Sequence, residues 1–481
     1  MGEASSWAFD LSQYGQVWQI MINIGLALIL LLFGNIIRRT VPFLRKLYIP
    51  SALLGGLFLF LLELILSACS ANTITIGEVS YNFIDKRIMQ IITYHALAVG
   101  FIAMTLKMAD KDHGVSIFKS IQNGAMTGAT YMLQAVVGIG VSLIFFFIGW
   151  EKFYATGALL PLGFGQGPGN ALSWDITFTN MGVGFHGNGS VGLTIASIGF
   201  VVACVVGVIY INIFRHKGEI THKEKVVNRD VREFELENEI EDNDSVDKMS
   251  IQVAFVALGY AIAFLIMFFF SGLSSWTGIA LFNSVAWGFN FIWGVIAAVL
   301  MKIVINLLRK KNIMHHRYIN NYQMDRISGF AFDLMIVAGV GAIDISVVAD
   351  YIWIILALSL VGTIATIVYI RVMSKMLFKN HQHEAFLVNF GTLTGTASNG
   401  MILLREVDPN FETPMASIFI VSQLPATLFV APLLVLLELS GKSLTGCIIA
   451  VSIFAGLFIL YTTFLVLSYK GIIFKKYQEN A

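Results

Sequence analysis

"PLGFGQGPGNALSWD", residues 161 to 175, sets four glycines and a proline between Gly163 and Gly169 in a chain that otherwise reads as membrane. In hydrocarbon each unsatisfied peptide group costs several kcal/mol, so irregular backbone persists there only when it is buried in protein or lines a polar cavity. Unless it lies outside the membrane, the stretch is expected to be a site.

The surrounding composition sets the solvent. The chain has 481 residues, 57% hydrophobic and 13% charged, with a mean hydropathy of +0.76. That places it among integral membrane proteins. Apolar runs of membrane-spanning length recur from residue 17 to residue 469, so the chain reads as one polytopic unit in the bilayer. The net charge of +1 gives no ground for a nucleic-acid partner. Cys69, Cys204 and Cys447 are scattered, which indicates neither a disulfide framework nor a thiolate metal site. No basic residue precedes the first apolar run, so the first helix is expected to be retained. Met1, Gly2 and Ser6 fit a myristoylation pattern, an anchor that a multispanning chain does not need.

Eleven stretches read as transmembrane helices: 17 to 37, 48 to 68, 88 to 106, 126 to 149, 188 to 214, 251 to 272, 279 to 307, 327 to 348, 351 to 374, 411 to 438 and 445 to 469. Two shorter, glycine-interrupted stretches remain, 154 to 187 and 380 to 405. Lysine and arginine collect on the cytoplasmic side. Arg38, Arg39, Arg45 and Lys46, then Lys107, Lys111 and Lys119, therefore put the N-terminus outside. The basic residues of 215 to 250, those at 309 to 317 and 371 to 379, and the tail Lys470, Lys475 and Lys476 all fall inside on one condition. Both glycine-broken stretches must re-enter, the first from outside and the second from inside. The acidic run 231 to 247 reads as a solvated linker.

The two broken stretches also share a pattern. "FGQGPGNA" at 164 to 171 and "FGTLTGTA" at 390 to 397 both follow F-G-x-x-x-G-x-A. Each is preceded by four helices and followed by one, so the halves have opposite orientation. Inverted repeats with a site on broken helices at the midplane mark secondary transporters. The expected fold is all-α: an inverted repeat of five transmembrane helices plus a re-entrant hairpin each, with one extra C-terminal helix. The domains are 1–214 with hairpin 154–187, the cytoplasmic linker 215–250, 251–438 with hairpin 380–405, and 439–481.

At residues 20 to 438 the chain resembles the bacterial glutamate:sodium symporter family. "FLRKLYIPSALLGGL" at 43 to 57, "GQGPGNALSW" at 165 to 174 and "FGTLTGTASNGM" at 390 to 401 carry the likeness. The chain departs from the family's loops at Gln166 and Pro168, and at Thr394, Gly395, Thr396 and Ala397. The helix 445 to 469 resembles an addition. The resemblance implies a homodimeric sodium symporter for glutamate in the plasma membrane, with a scaffold part and a mobile part that carries both hairpins.

The residues themselves suit such work. A hairpin exposes half-helix ends whose N–H groups favour an anion, and glycine lets backbone approach a ligand closely. The expected substrate contacts are Gly165, Gln166, Gly167, Gly169 and Asn170 in the first hairpin. In the second they are Thr392, Thr394, Gly395, Thr396, Ser398 and Asn399. All are uncharged, and they fit a carboxylate and a sodium ion. Asp333, inside an apolar helix, is with Asn170 and Asn399 a candidate sodium ligand, since intramembrane carboxylates are functional candidates. Asp175, Asp344 and Glu63 are further candidates, and Arg405 and His95 weaker ones. The pairs at 315 to 316 and 381 to 383 read as histidines of cytoplasmic loops. A phosphate loop is excluded because no lysine follows the glycines. No acid–base pair suggests an enzyme, and no cofactor beyond the coupling sodium ion is expected. The alternatives are a carrier for another small carboxylate or a neutral amino acid, or a channel or sensor on the same scaffold.

Overall fold

The computed structural model describes residues 11–76, 79–107, 116–151, 153–220, 247–278, 280–288, 290–314, 318–409 and 413–471. The acidic run but for Asp247, the histidine pair 315 to 316, the myristoylation pattern, and Lys475 and Lys476 lie outside them.

The first half runs through α1 (Leu11–Thr40), α2 (Pro42–Lys46), α3 (Ser51–Ala68), α4 (Lys86–Leu106), α5 (Ile117–Phe147), α6 (Leu160–Gly165), α7 (Pro168–Asn180) and α8 (Ser190–His216). The second comprises α9 (Lys248–Thr277), α10 (Ala280–Gly288), α11 (Asn290–Lys310), α12 (Asn321–Gly341), α13 (Ile345–Leu377), α14 (Gln382–Thr394), α15 (Ala397–Val407), α16 (Met415–Lys442) and α17 (Leu444–Tyr469). Ten of the described helices are long and apolar enough to cross a bilayer. The chain is an all-α, multi-pass membrane protein.

Two details differ from expectation. The stretch 327 to 348 becomes α12, which ends at Gly341 and carries Asp325, Arg326 and Asp333. With three charges it is not among those ten. The second detail is a short antiparallel pair, β1 (Thr73–Ile76) with β2 (Val79–Asn82), in register Thr73 to Asn82. All four residues of β1 are β-branched, which favours extended backbone.

Helix starts follow local chemistry. The side chains of Asp85, Asp247, Asn320 and Ser443 each accept a backbone N–H in the first turn of α4, α9, α12 and α17. These are N-caps, satisfying donors that the helix itself leaves open.

The chain folds as two compact units, each drawing on both sequence halves. One comprises Met1–Arg45, Pro50–Met108 and Phe234–Asp344. Its core gathers Ile102, Ala103 and Leu106 of α4, Val256 of α9, Met301 and Ile305 of α11, and Met324 and Ile327 of α12. Lys302 of α11 donates to the carbonyls of Thr105 and Lys107 at 3.1 and 2.7 Å. It thereby closes the C-terminal end of α4, where a cation is favoured.

At the other end of α4, Lys86 bridges two carboxylates, Glu63 of α3 at 3.4 Å and Asp344 beyond the end of α12 at 3.2 Å. Glu63 is 4% exposed and also accepts from the Ser67 hydroxyl at 2.8 Å. Removing one partner of a buried pair strands the other's charge and costs about 3 to 5 kcal/mol. Lys86 keeps some solvent contact, so the lower end applies. The Lys86→Met variant should melt at a clearly lower temperature in detergent, and adding Glu63→Gln should recover part of the loss. Unchanged melting would show that the bridge holds nothing together.

The other unit comprises Lys46–Ile49, Ala109–Glu233 and Ile345–Ala481. Helix α5 runs through it, packing against α6, α13, α14, α16 and α17. Both broken helix pairs, α6 with α7 and α14 with α15, belong to this unit.

Candidate functional site

Each broken pair is two short helices joined at a tip. At 1.5 Å per residue, α7 and α14 measure about 20 Å and α15 about 16 Å. Each falls short of the roughly 30 Å of a bilayer's hydrocarbon. In the first pair, α6 ends where the Gln166 N–H bonds to the Leu162 carbonyl at 3.0 Å. Gly167 then turns the chain at φ +83°, ψ −176°, a conformation open essentially to glycine. Pro168 opens α7, a position where its missing N–H costs nothing. In the second pair, α14 ends at Thr394, and Thr396, in extended backbone, leads into α15. Its arms pack through glycine: a Cβ on Gly391 would lie 2.8 Å from Cα of Gly400.

The breaks lie at a different displacement from the matched sequence pattern. Phe164 to Phe390 is a displacement of 226 residues, whereas Gly165 to Thr394, the ends of the first arms, is 229. The matched Gly391 thus belongs to the arm, and Gly395 is the tip. In the structural register Asn170 and Asn399 correspond, each the third residue of its second arm.

These asparagines are the most telling groups at the tips. Asn170 is 1% and Asn399 4% exposed. Among the described residues neither amide atom of Asn170 has a hydrogen-bond partner, nor has Nδ2 of Asn399, Oε1 of Gln166 or Oγ1 of Thr396. A buried polar group left unpaired costs about 1 to 3 kcal/mol. The amide of Asn399 turns back over the tip, since a Cβ on Gly395 would collide with its Nδ2. Neither Gly167 nor Thr396 caps its helix with a side chain. The two tips therefore offer helix N-termini beside unsatisfied neutral donors and acceptors.

Neighbouring helices draw the tips together. Tyr131 of α5 donates to the Gly165 carbonyl at 2.6 Å. One turn on, Gln134 donates to the Leu393 carbonyl at 2.8 Å and to the Thr366 hydroxyl at 3.0 Å. On α8, a Cβ at Gly199 would meet both the Thr394 carbonyl and, at 3.1 Å, the ring of Phe164. Sequence reading did not single out Tyr131, Gln134 or Gly199. Their signal was a polar pair one turn apart in an apolar helix.

The remaining expected residues divide. The hydroxyls of Thr392 and Thr394 bond back to the carbonyls of Val388 and Phe390, both at 2.7 Å, and the Gly169 carbonyl accepts from Ser173 at 2.9 Å. Ser398 is exposed. Asp175 is fully buried, and its two oxygens accept the N–H groups of Gly189 and Gly192, each at 2.7 Å. It caps α8, the carboxylate lying where the helix dipole favours it.

Asp333 belongs to the other unit, exposed on α12. Asp344 and Glu63 are held by Lys86. Arg405 lies in the last turn of α15, nine residues beyond Thr396 and so about 13 Å along the helix. His95 hydrogen-bonds with the Tyr260 hydroxyl. His383, read as a loop residue, is instead buried, with Tyr210 at 3.0 Å and Glu219 at 3.2 Å.

No known family model matches the chain, and neither does any curated protein.

Proposed function

We propose that the protein is a sodium-coupled secondary transporter that binds a small carboxylate at the tips of two re-entrant hairpins, α6 with α7 and α14 with α15. One observation carries this reading: two buried asparagines, Asn170 with both amide atoms unpaired and Asn399 with Nδ2 unpaired, stand at the third position of two helices whose preceding arms, α6 and α14, pack together. A protein retains such unpaired groups at a cost in stability, and a ligand that pairs them returns it. Arms too short to cross suit re-entry, and irregular backbone at membrane depth suits a transporter built from inverted repeats.

Both hairpins fall in one compact unit, which suits an elevator-type, alternating-access mechanism with that unit as the moving part. The sodium ion would take amide, hydroxyl and carbonyl oxygens at the tips, Asn170 and Asn399 among them. By resemblance the protein works as a homodimer in the plasma membrane, and its basic residues suit an N-terminus outside and a C-terminus in the cytoplasm. Its cargo by resemblance is glutamate; another small carboxylate or a neutral amino acid is the second reading.

The membrane potential contributes about 2.3 kcal/mol per elementary charge per 100 mV. Import of a monoanion therefore calls for more than one cation per cycle. In proteoliposomes, amino-acid accumulation should require an inward sodium gradient and collapse when an ionophore dissipates it. Uptake that is indifferent to sodium would overturn the coupling. Conductance without saturable counterflow would mark a channel, and binding without movement a sensor.

A further inference from the structure

The hairpin tips contain no formal charge, and the surrounding helices supply none. From Ser120 to Phe147, Ser190 to Phe214, Tyr351 to Ile370, Ala385 to Leu404 and Met415 to Leu437 there is no Asp, Glu, Lys or Arg. Helix α7 carries one charged residue, Asp175, whose oxygens are taken up by the amides of α8. Positive potential at the site thus comes from two helix N-termini, those of α7 and α15. Each is equivalent to about half an elementary charge, so together they balance about one carboxylate.

We infer that the cargo is an α-amino acid with an uncharged side chain, bearing one carboxylate and no second anionic group. The inference rests on the hairpin tips being the transport site. The carboxylate meets the first-turn N–H groups of the two second arms and Nδ2 of Asn170 and Asn399. The ammonium takes the acceptors left unpaired there, Oδ1 of Asn170, Oε1 of Gln166 and Oγ1 of Thr396. Along the uncharged stretches just named a second carboxylate finds no cation: Arg405 is at the far end of its arm, Arg215 pairs with Glu406 at 2.8 Å, and Arg371, just past Ile370, lies over the rings of Tyr210 and Phe214. Glutamate would bring an uncompensated buried charge, which lowers affinity by a factor on the order of 10² to 10³.

Glutamine and glutamate make the cleanest test, being nearly the same size and differing in that charge. The full chain in proteoliposomes with an inward sodium gradient is assayed with radiolabelled alanine, serine, glutamine and glutamate, each against unlabelled glutamine, glutamate, aspartate and succinate. The expected result is sodium-driven uptake of at least one uncharged amino acid, inhibited by glutamine about 100-fold more effectively than by glutamate. Glutamate competing as well as glutamine would overturn this inference and leave the transporter reading intact. Sodium-driven uptake of labelled glutamate but of no uncharged amino acid would do the same. No sodium-driven uptake of any of the four would overturn both.

Discussion

Replacing Asn170 or Asn399 by leucine is expected to abolish sodium-driven uptake while raising the melting temperature of the purified protein. The two effects have one cause. Asn170 is buried with both amide atoms unpaired and Asn399 with its Nδ2 unpaired, so leucine, of similar size, relieves a desolvation penalty of about 1 to 3 kcal/mol in the unliganded state. The same change removes hydrogen bonds that the cargo would receive. Bonds to a charged group are worth about 1.5 to 3 kcal/mol each, or roughly 10- to 150-fold in affinity.

Asn389 is the comparison, because it lies in the same broken pair with its Nδ2 engaged twice, although among the described residues its Oδ1 is unpaired. Its Nδ2 donates to Asn123 at 2.9 Å and to the Ala385 carbonyl at 2.8 Å, and Asn123 in turn donates to Ser422 at 2.8 Å. Asn389→Leu should therefore lower the melting temperature. Initial uptake rates and thermal unfolding in detergent decide the matter. If all three variants melt lower, the tip asparagines are structural.

How far the sequence foretold this arrangement depends on the range over which each signal acts. Membrane helices are written in about 20 consecutive side chains, so each of the eleven expected stretches overlaps a described helix, although 279 to 307 is divided into α10 and α11 and the helix of 327 to 348 stops at Gly341. Broken segments were equally legible, because glycine and proline act within a turn. Register was not. The match at Phe390 and Gly391 followed a glycine that serves arm-to-arm packing against Gly400, one turn before the glycine at the break. Sequence similarity treats both glycines alike, whereas packing does not.

Partnership across the chain was the other blind spot. Glu63 and Asp344 looked like independent intramembrane carboxylates until Lys86 was found between them. Asp175 stood as a candidate ion ligand and proved to be a helix cap. In both cases the decisive neighbour is chosen by folding, and one-dimensional spacing does not reveal it. Asn170 and Asn399 were legible as candidates for the opposite reason. What sets them apart is unpaired amide atoms, both of Asn170 and Nδ2 of Asn399, in a glycine-rich break that sequence already marks.

Gly167→Ala should cost most of the uptake with little loss of protein, and here two glycines of positive φ provide the comparison. Gly167 joins α6 to α7 at φ +83°, ψ −176°, where a Cβ incurs about 1 to 3 kcal/mol of backbone strain. The chain can shed that strain by rotating the tip, which redirects the first-turn N–H groups of α7 away from the cargo. In enzymes a displacement of about 1 Å at the point of contact can cost about 10²-fold, and a binding tip built from oriented N–H groups depends on geometry in the same way. Gly182 has φ +68° and nothing within 4 Å of an added Cβ, and it follows the end of α7. Asparagine tolerates left-handed backbone, so Gly182→Asn should leave uptake within about twofold of the parent, a difference of less than about 1 kcal/mol. Gly167→Ala should reduce the initial rate by at least tenfold, about 1.4 kcal/mol, at equal amounts of reconstituted protein. Similar rates for the two variants would mean that the geometry of the first tip does not position the cargo, and the site would have to be sought elsewhere in the unit.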